Sequence, residues 1–158
     1  MAIPSSTQKP KLNDFDAWAR RLRRLIRKAN GVTVTRRSLR PRQAPEGVIR
    51  FRCYSYYRRL KKQGLLSDLE RFVRDRDRGR WRHPAEGAAW ILRLIETRPR
   101  DLVTPATRAR IITELNFADR CNVPASRLLG FLYEAGNDEL LKRQAAAAPL
   151  RWVAAYSE

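Results

Sequence analysis

The side chain most able to do chemistry in this sequence is the arginine guanidinium. Arginine supplies 28 of the 34 basic residues, against 16 acidic ones, and the formal net charge is +18. A guanidinium donates hydrogen bonds as a planar fork that matches two phosphate oxygens, whereas a lysine ammonium acts as a point charge. This composition predicts binding to a polyanion: a nucleic acid, an anionic membrane surface or an acidic protein.

The charge is concentrated in one half of the chain. Residues 1–62 hold 18 basic and 3 acidic side chains, whereas residues 84–158 hold 10 and 9. Such asymmetry favours a nucleic acid, DNA or RNA, as the partner of the basic half. The near-neutral half is then left for a protein partner or a second copy of the chain, and no membrane contact is expected.

The candidate nucleic-acid contacts run through the basic half and resume at residues 80–82. Their basic side chains would neutralise phosphates, while Tyr54, Tyr57 and Trp81 are the candidates for stacking on bases. The two tyrosines suit a half-buried place in the core equally well, which leaves their role open. The candidates are Arg20, Arg21, Arg24, Arg27, Lys28, Arg36, Arg37, Arg40, Arg42, Arg50, Arg52, Tyr54, Tyr57, Arg58, Arg59, Lys61, Lys62, Arg80, Trp81 and Arg82.

Residue types suited to catalysis or metal binding are few and scattered. His83 is the single histidine, and Cys53 and Cys121 lie far apart without metal-ligand spacing. Asp75 and Asp77 are flanked by arginines, which favours ion pairs over a metal site. The seven glycines form no phosphate-binding loop. We therefore expect no enzyme activity, no metal and no cofactor.

Residues 117–131 resemble the core of a helix-turn-helix. Ala118 provides the small residue of the first helix, and Asn122 provides the left-handed residue of the turn. The apolar residues that would lock the second helix are Val123, Leu128 and Phe131. In this resemblance Ser126 and Arg127 are the candidates for reading base edges. Helical bundles use the same shape purely for packing, and that interpretation favours a structural role.

A second resemblance involves two segments near the end of the chain. These are Pro-Ala-Ser-Arg-Leu-Leu-Gly-Phe-Leu at 124–132 and Leu-Arg-Trp-Val-Ala-Ala-Tyr at 150–156. Together they resemble the final helices of the small helical subunit of CRISPR surveillance complexes. The resemblance implies a mostly helical, basic protein without catalysis that lines a groove holding nucleic-acid backbone.

The basic half is predicted to contain a tail, a helix and a hairpin. Residues 1–12 are expected to form a flexible tail, and a helix should run from Asn13 or Asp14 to Ala29 because its apolar residues recur every three or four positions. The β-branched composition of 32–35 and 48–54 predicts a β-hairpin with an arginine-rich tip between them. Because Phe51, Tyr54, Tyr57 and Leu60 recur every third residue, 51–63 could instead be helical; we favour strand to Ser55 and helix from there to Gln63.

The near-neutral half is predicted to be a helical bundle with short connections. Proline at a first helical position indicates helices from Pro84 to about residue 96 and from Pro105, after Thr104, to about Cys121. Further helices are expected over 125–134, from about Asp138, and over 150–156.

The expected fold is therefore α+β and predominantly helical, with a basic N-terminal helix and β-hairpin packed on a C-terminal helical bundle. We expect a tail at 1–12 and one domain at 13–158, divided into a basic half (13–63) and a near-neutral half (64–158). The expected function is a non-catalytic, cytoplasmic nucleic-acid-binding protein that works as a subunit of a nucleoprotein complex. The alternatives are a helix-turn-helix regulator of transcription or plasmid maintenance, and a basic module that binds an acidic protein.

Overall fold

A computed structural model of the chain describes residues 11, 13–30, 45–78, 80, 85–96 and 102–135. These residues form six α-helices and one short 3-10 helix, and they contain no β-strand. The expected α+β class is therefore wrong for this part of the chain, which is helical. The elements are α1 (Phe15–Asn30), α2 (Pro45–Lys62), α3 (Leu66–Arg76), α4 (Ala89–Ile95), α5 (Pro105–Arg120), the 3-10 helix (Ala125–Arg127) and α6 (Leu128–Ala135).

Helix α1 forms where the sequence predicted it. Asp14 caps its start, since the Asp14 carboxylate accepts a hydrogen bond from the Ala17 backbone N–H at 3.0 Å. Ala19, Leu22 and Ile26 are at most 1% exposed and face the core. The apolar repeat of three and four residues is thus confirmed as the buried face of a helix.

The predicted β-hairpin is wrong. Its second strand, 48–54, lies inside α2, whereas 32–35 and the arginine-rich tip lie outside the described residues. Helix α2 contacts all the other described helices, so its apolar side chains cover a wide arc of its surface. Ile49 and Cys53 are both buried on that arc, and over so short a window a wide apolar arc gives the alternation typical of a strand.

Helix α5 begins as predicted. The Thr104 hydroxyl accepts a hydrogen bond from the Thr107 N–H at 3.2 Å, and Pro105 occupies the first helical position. Helix α4 is shorter than predicted, because the chain turns at Gly87 with φ +52°. The Asn116 side chain of α5 accepts a hydrogen bond from the Ala88 N–H at 2.8 Å, so it leaves no room for a Cβ at position 87. The helices predicted near 138 and over 150–156 lie outside the described residues.

The acidic pair after α3 is held by arginines, as its flanking residues predicted. Asp77 is 4% exposed and forms ion pairs with Arg76 at 2.8 Å and Arg80 at 3.4 Å. Arg76 also donates to the backbone carbonyls of Arg93 and Leu94, which ties α3 to the end of α4. None of the described helices combines the length and the apolar character needed to cross a membrane.

Candidate nucleic-acid interface

The solvent face of α1 is entirely basic beyond its first turn. Arg20, Arg24 and Arg27 recur four and three residues apart, so they lie on one face, opposite the buried Leu22. The exposed basic residues of α1 considered below are Arg20, Arg21, Arg24, Arg27 and Lys28. None of them forms a salt bridge within the described part of the chain.

Helix α2 adds three basic side chains of the same kind. Arg52, Arg59 and Lys62 are exposed, and no carboxylate among the described residues pairs with them. We call these three residues and the five of α1 the basic surface. It carries eight positive charges on two helices that pack directly against each other.

The basic faces of α1 and α2 meet at Trp18. The Trp18 ring stacks on Tyr56 of α2, with ring centroids 4.5 Å apart and planes inclined by 21°. The guanidinium carbon of Arg21 lies 5.8 Å from the Trp18 ring centroid, and that of Arg59 lies 5.6 Å from it. Both distances suit a cation–π contact, so one ring holds an arginine from each helix.

On its opposite side, α2 packs on α5 through paired charges. Arg50 forms a two-pronged ion pair with Glu114, with Nη2 at 3.1 Å from one carboxylate oxygen and Nε bonded to the other. Glu46 accepts from Arg50 at 2.9 Å and from Arg110 at 2.6 Å. The hydrogen bond from Arg50 holds the pKa of Glu46 below its usual value, despite partial burial.

A second set of charges fastens α2 to the end of α5. Asp119 accepts hydrogen bonds from Arg58 at 2.8 Å, Lys61 at 2.7 Å and the Tyr57 hydroxyl at 3.1 Å. Burial opposes ionisation of Asp119, but the hydrogen bonds from Lys61 and Arg58 outweigh it and hold its pKa below the usual value. We call these charged groups the α2–α5 junction: Glu46, Arg50, Arg58, Lys61, Arg110, Glu114 and Asp119.

The stacking role considered for two tyrosines of α2 is not compatible with their position. Tyr54 is 0% exposed and its hydroxyl donates to the Val123 carbonyl at 2.7 Å, whereas Tyr57 is 4% exposed. Burial raises the pKa of Tyr57 to about 12. Because a base can stack only on an accessible ring, both tyrosines belong to the core.

The remaining predicted contacts divide into three groups. Arg50, Arg58 and Lys61 belong to the α2–α5 junction, and Arg80 pairs with Asp77, so these four side chains already have carboxylate partners. Eight others form the basic surface. The predicted contacts outside the described residues are Arg36, Arg37, Arg40, Arg42, Trp81 and Arg82.

The helix-turn-helix-like segment has the local geometry that its residues suggested. Asn122 is left-handed with φ +53°, and Ala118 is fully buried beside the turn. The three apolar residues after the turn, Val123, Leu128 and Phe131, are fully buried too. Ser126 and Arg127 are exposed at the start of the second helical segment. Recognition of bases by these two side chains stays a prediction.

Sequence analysis missed one exposed aromatic residue. Tyr133 of α6 is 90% exposed, which makes it the one exposed large hydrophobic side chain of the described residues. It lies seven residues after Ser126 and therefore on the same face of the chain's helical path. The signal was available, since Leu128 and Phe131 define the buried face and place position 133 away from it.

The chain matches no protein-family model, and neither the curated proteins nor the solved structures include a significant match. In the part of the chain that the structure describes, no three acidic, histidine or cysteine side chains come together as a metal site. The arrangement of charge is therefore what supports a function.

Proposed function

We propose that this protein is a non-catalytic nucleic-acid-binding protein that grips the phosphate backbone through the basic surface, as a subunit of a nucleoprotein complex. One observation carries the proposal. Eight exposed basic side chains lie on two packed helices, and no described carboxylate neutralises them. A polyanion of regular charge spacing is the partner that relieves this repulsion.

The α2–α5 junction strengthens the proposal by contrast. There, four basic side chains meet three carboxylates from the facing helices, so their charge is largely neutralised within the fold. The chain thus has the means to pair its arginines, and it leaves those of the basic surface unpaired. Guanidinium groups exposed in this way are suited to phosphate oxygens, which carry no sequence information.

The test is fluorescence anisotropy with random-sequence duplex DNA, single-stranded DNA and RNA, over roughly 50 to 300 mM salt. The variant replaces Arg20, Arg24 and Arg27 with Gln. The matched control replaces Arg71, Arg78 and Arg120, which are exposed basic residues of other helices or their ends, and removes the same charge.

We expect the basic-surface variant to lower the magnitude of the salt slope by about 2.7 on duplex DNA, or by about 2 on a single strand. The control should leave the slope nearly unchanged. Equal losses in both variants would mean that net charge alone drives binding, which contradicts the proposal. Absence of binding by the wild-type protein at physiological salt would reject it in favour of an acidic protein partner.

A second candidate function is a DNA-binding regulator that reads sequence through the segment after Asn122. The left-handed Asn122 and the exposure of Ser126 and Arg127 favour it. It predicts that duplex DNA selected from a random pool shows an enriched sequence, and that Arg127→Ala removes the enrichment while binding to random DNA remains. A pool without enrichment would rule it out.

A further inference from the structure

Trp18 holds two like charges in a way that packing alone does not require. Its ring is partly buried between α1 and α2 and stacks on Tyr56, which accounts for its contribution to the core. Arg21 and Arg59 come from different helices, and both guanidinium groups lie within 5.8 Å of this one ring. The two guanidinium carbons are therefore no further apart than the sum of their distances to it.

Two positive charges so close together repel each other in the free protein. The negative face of an indole offsets part of that repulsion for each arginine. Neither Arg21 nor Arg59 forms a salt bridge with a described carboxylate, so each keeps its fork of N–H donors for a ligand. An anion with several oxygens can accept from both forks at once.

We propose that Arg21 and Arg59 form a clamp for a single backbone phosphodiester, and that Trp18 is the positioning residue that brings the two guanidinium groups together. The clamp lies where the basic faces of α1 and α2 meet, so it fixes the register of the bound strand across both helices. This inference rests on the proposed function and adds to it one defined subsite in an otherwise diffuse basic surface.

The clamp makes a specific prediction about salt dependence. When two arginines share one phosphate, replacing either one leaves that phosphate contacted by the other. We therefore expect Arg21→Gln and Arg59→Gln each to weaken binding with little change in slope. The double variant should lower the slope by one phosphate, about 0.9 on duplex DNA, and should lower affinity about fivefold at physiological salt.

The matched control uses Arg24→Gln and Arg52→Gln, which again take one charge from each helix of the basic surface. If these side chains contact separate phosphates, each single change lowers the duplex slope by about 0.9 and the double change by about 1.8. All variants are measured on whichever random-sequence probe the wild-type protein binds most tightly.

The role of Trp18 is tested by Trp18→Phe and Trp18→Leu in the full chain. Phenylalanine keeps an aromatic face, so it should retain most of the affinity. Leucine fills similar apolar space without that face, so it should lose as much affinity as the Arg21 and Arg59 double variant. In the leucine background, adding the double change should then have little further effect. Thermal unfolding of each variant shows whether the fold is kept.

The outcomes separate the clamp from the proposed function. Single changes at Arg21 and Arg59 that each lower the slope by a full phosphate would overturn the clamp, because the arginines would then act independently. A double variant with unchanged affinity would overturn it too, and in both cases loss of binding in the Arg20, Arg24 and Arg27 variant would leave the proposed function standing. If the wild-type protein binds none of the probes, both fail together.

Discussion

Arg58 and Arg59 are adjacent in α2, and their surroundings differ completely. Arg58 belongs to the α2–α5 junction, where it donates to Asp119 at 2.8 Å and to the Asn122 side chain at 2.6 Å. Arg59 belongs to the basic surface, where it lies over Trp18 and meets no described carboxylate. The comparison teaches that the helix packed against an arginine decides its role.

The two regions also differ in what a lost charge should cost. Arg50 and Glu114 have side chains only 12% exposed, so removing one partner leaves the other charge poorly solvated. Side chains of the basic surface stay in water, where removing a charge changes the stability of the fold very little. Stability and binding should therefore respond to mutation in separate regions.

The largest expected effect is on folding at the α2–α5 junction. Arg50→Gln should lower the free energy of unfolding by about 3 kcal/mol, because Glu114 loses its two-pronged partner. Arg52→Gln, two residues away on the basic surface, serves as the control and should change it by less than about 0.5 kcal/mol. Urea unfolding monitored by circular dichroism gives both values. Similar losses in the two variants would remove the distinction between the regions.

A pair of double variants in the last turn of α2 compares the regions most directly. Arg58→Gln with Lys61→Gln should destabilise the fold by about 2 kcal/mol, because Asp119 loses both charged partners. Arg59→Gln with Lys62→Gln removes the same charge and should leave stability nearly unchanged. It should instead weaken binding to random duplex DNA by roughly thirtyfold at physiological salt, the effect of two lost phosphate contacts. The opposite pattern would show that the regions had been assigned the wrong way round.

Tyr54→Phe distinguishes a core tyrosine from a stacking one. The buried hydroxyl loses its hydrogen bond to the Val123 carbonyl, so stability should fall by about 1.5 kcal/mol. Nucleic-acid affinity should be unchanged, measured by anisotropy at a temperature where both proteins are folded. Weaker binding at full stability would return Tyr54 to the interface.

The smallest expected effect concerns pH. Because the pKa of Asp119 is lowered in the folded protein, its carboxylate stabilises the fold above its ordinary value of 3.8, and this contribution is lost as the pH falls below that value. Asp119→Asn should therefore cost about 1 kcal/mol near neutral pH, after allowing for solvent screening. The difference from wild type should shrink in acid. A difference that stays constant from neutral pH to pH 3 would contradict the ionised junction.

Sequence reasoning succeeded where the signal is local. The start of α1 at Asp14, the Thr104 cap of α5 and the left-handed Asn122 each depend on residues within one or two turns of one another. It failed for α2, whose apolar arc is wide because this helix contacts all the others that the structure describes. Burial of Tyr54 follows from the same central position.

By itself the sequence determined the amphipathic α1 helix, the concentration of positive charge in residues 1–62 and the caps of individual helices, since these depend on the order of neighbouring residues. The tertiary structure alone decided which basic side chains are paired. The carboxylate partners of Arg50 and Lys61 on α5 follow them by 64 and 58 residues, a separation that no local pattern encodes. Ion pairing depends on distance in space, so only the packing of α5 and α1 against α2 divides its arginines between the fold and the basic surface.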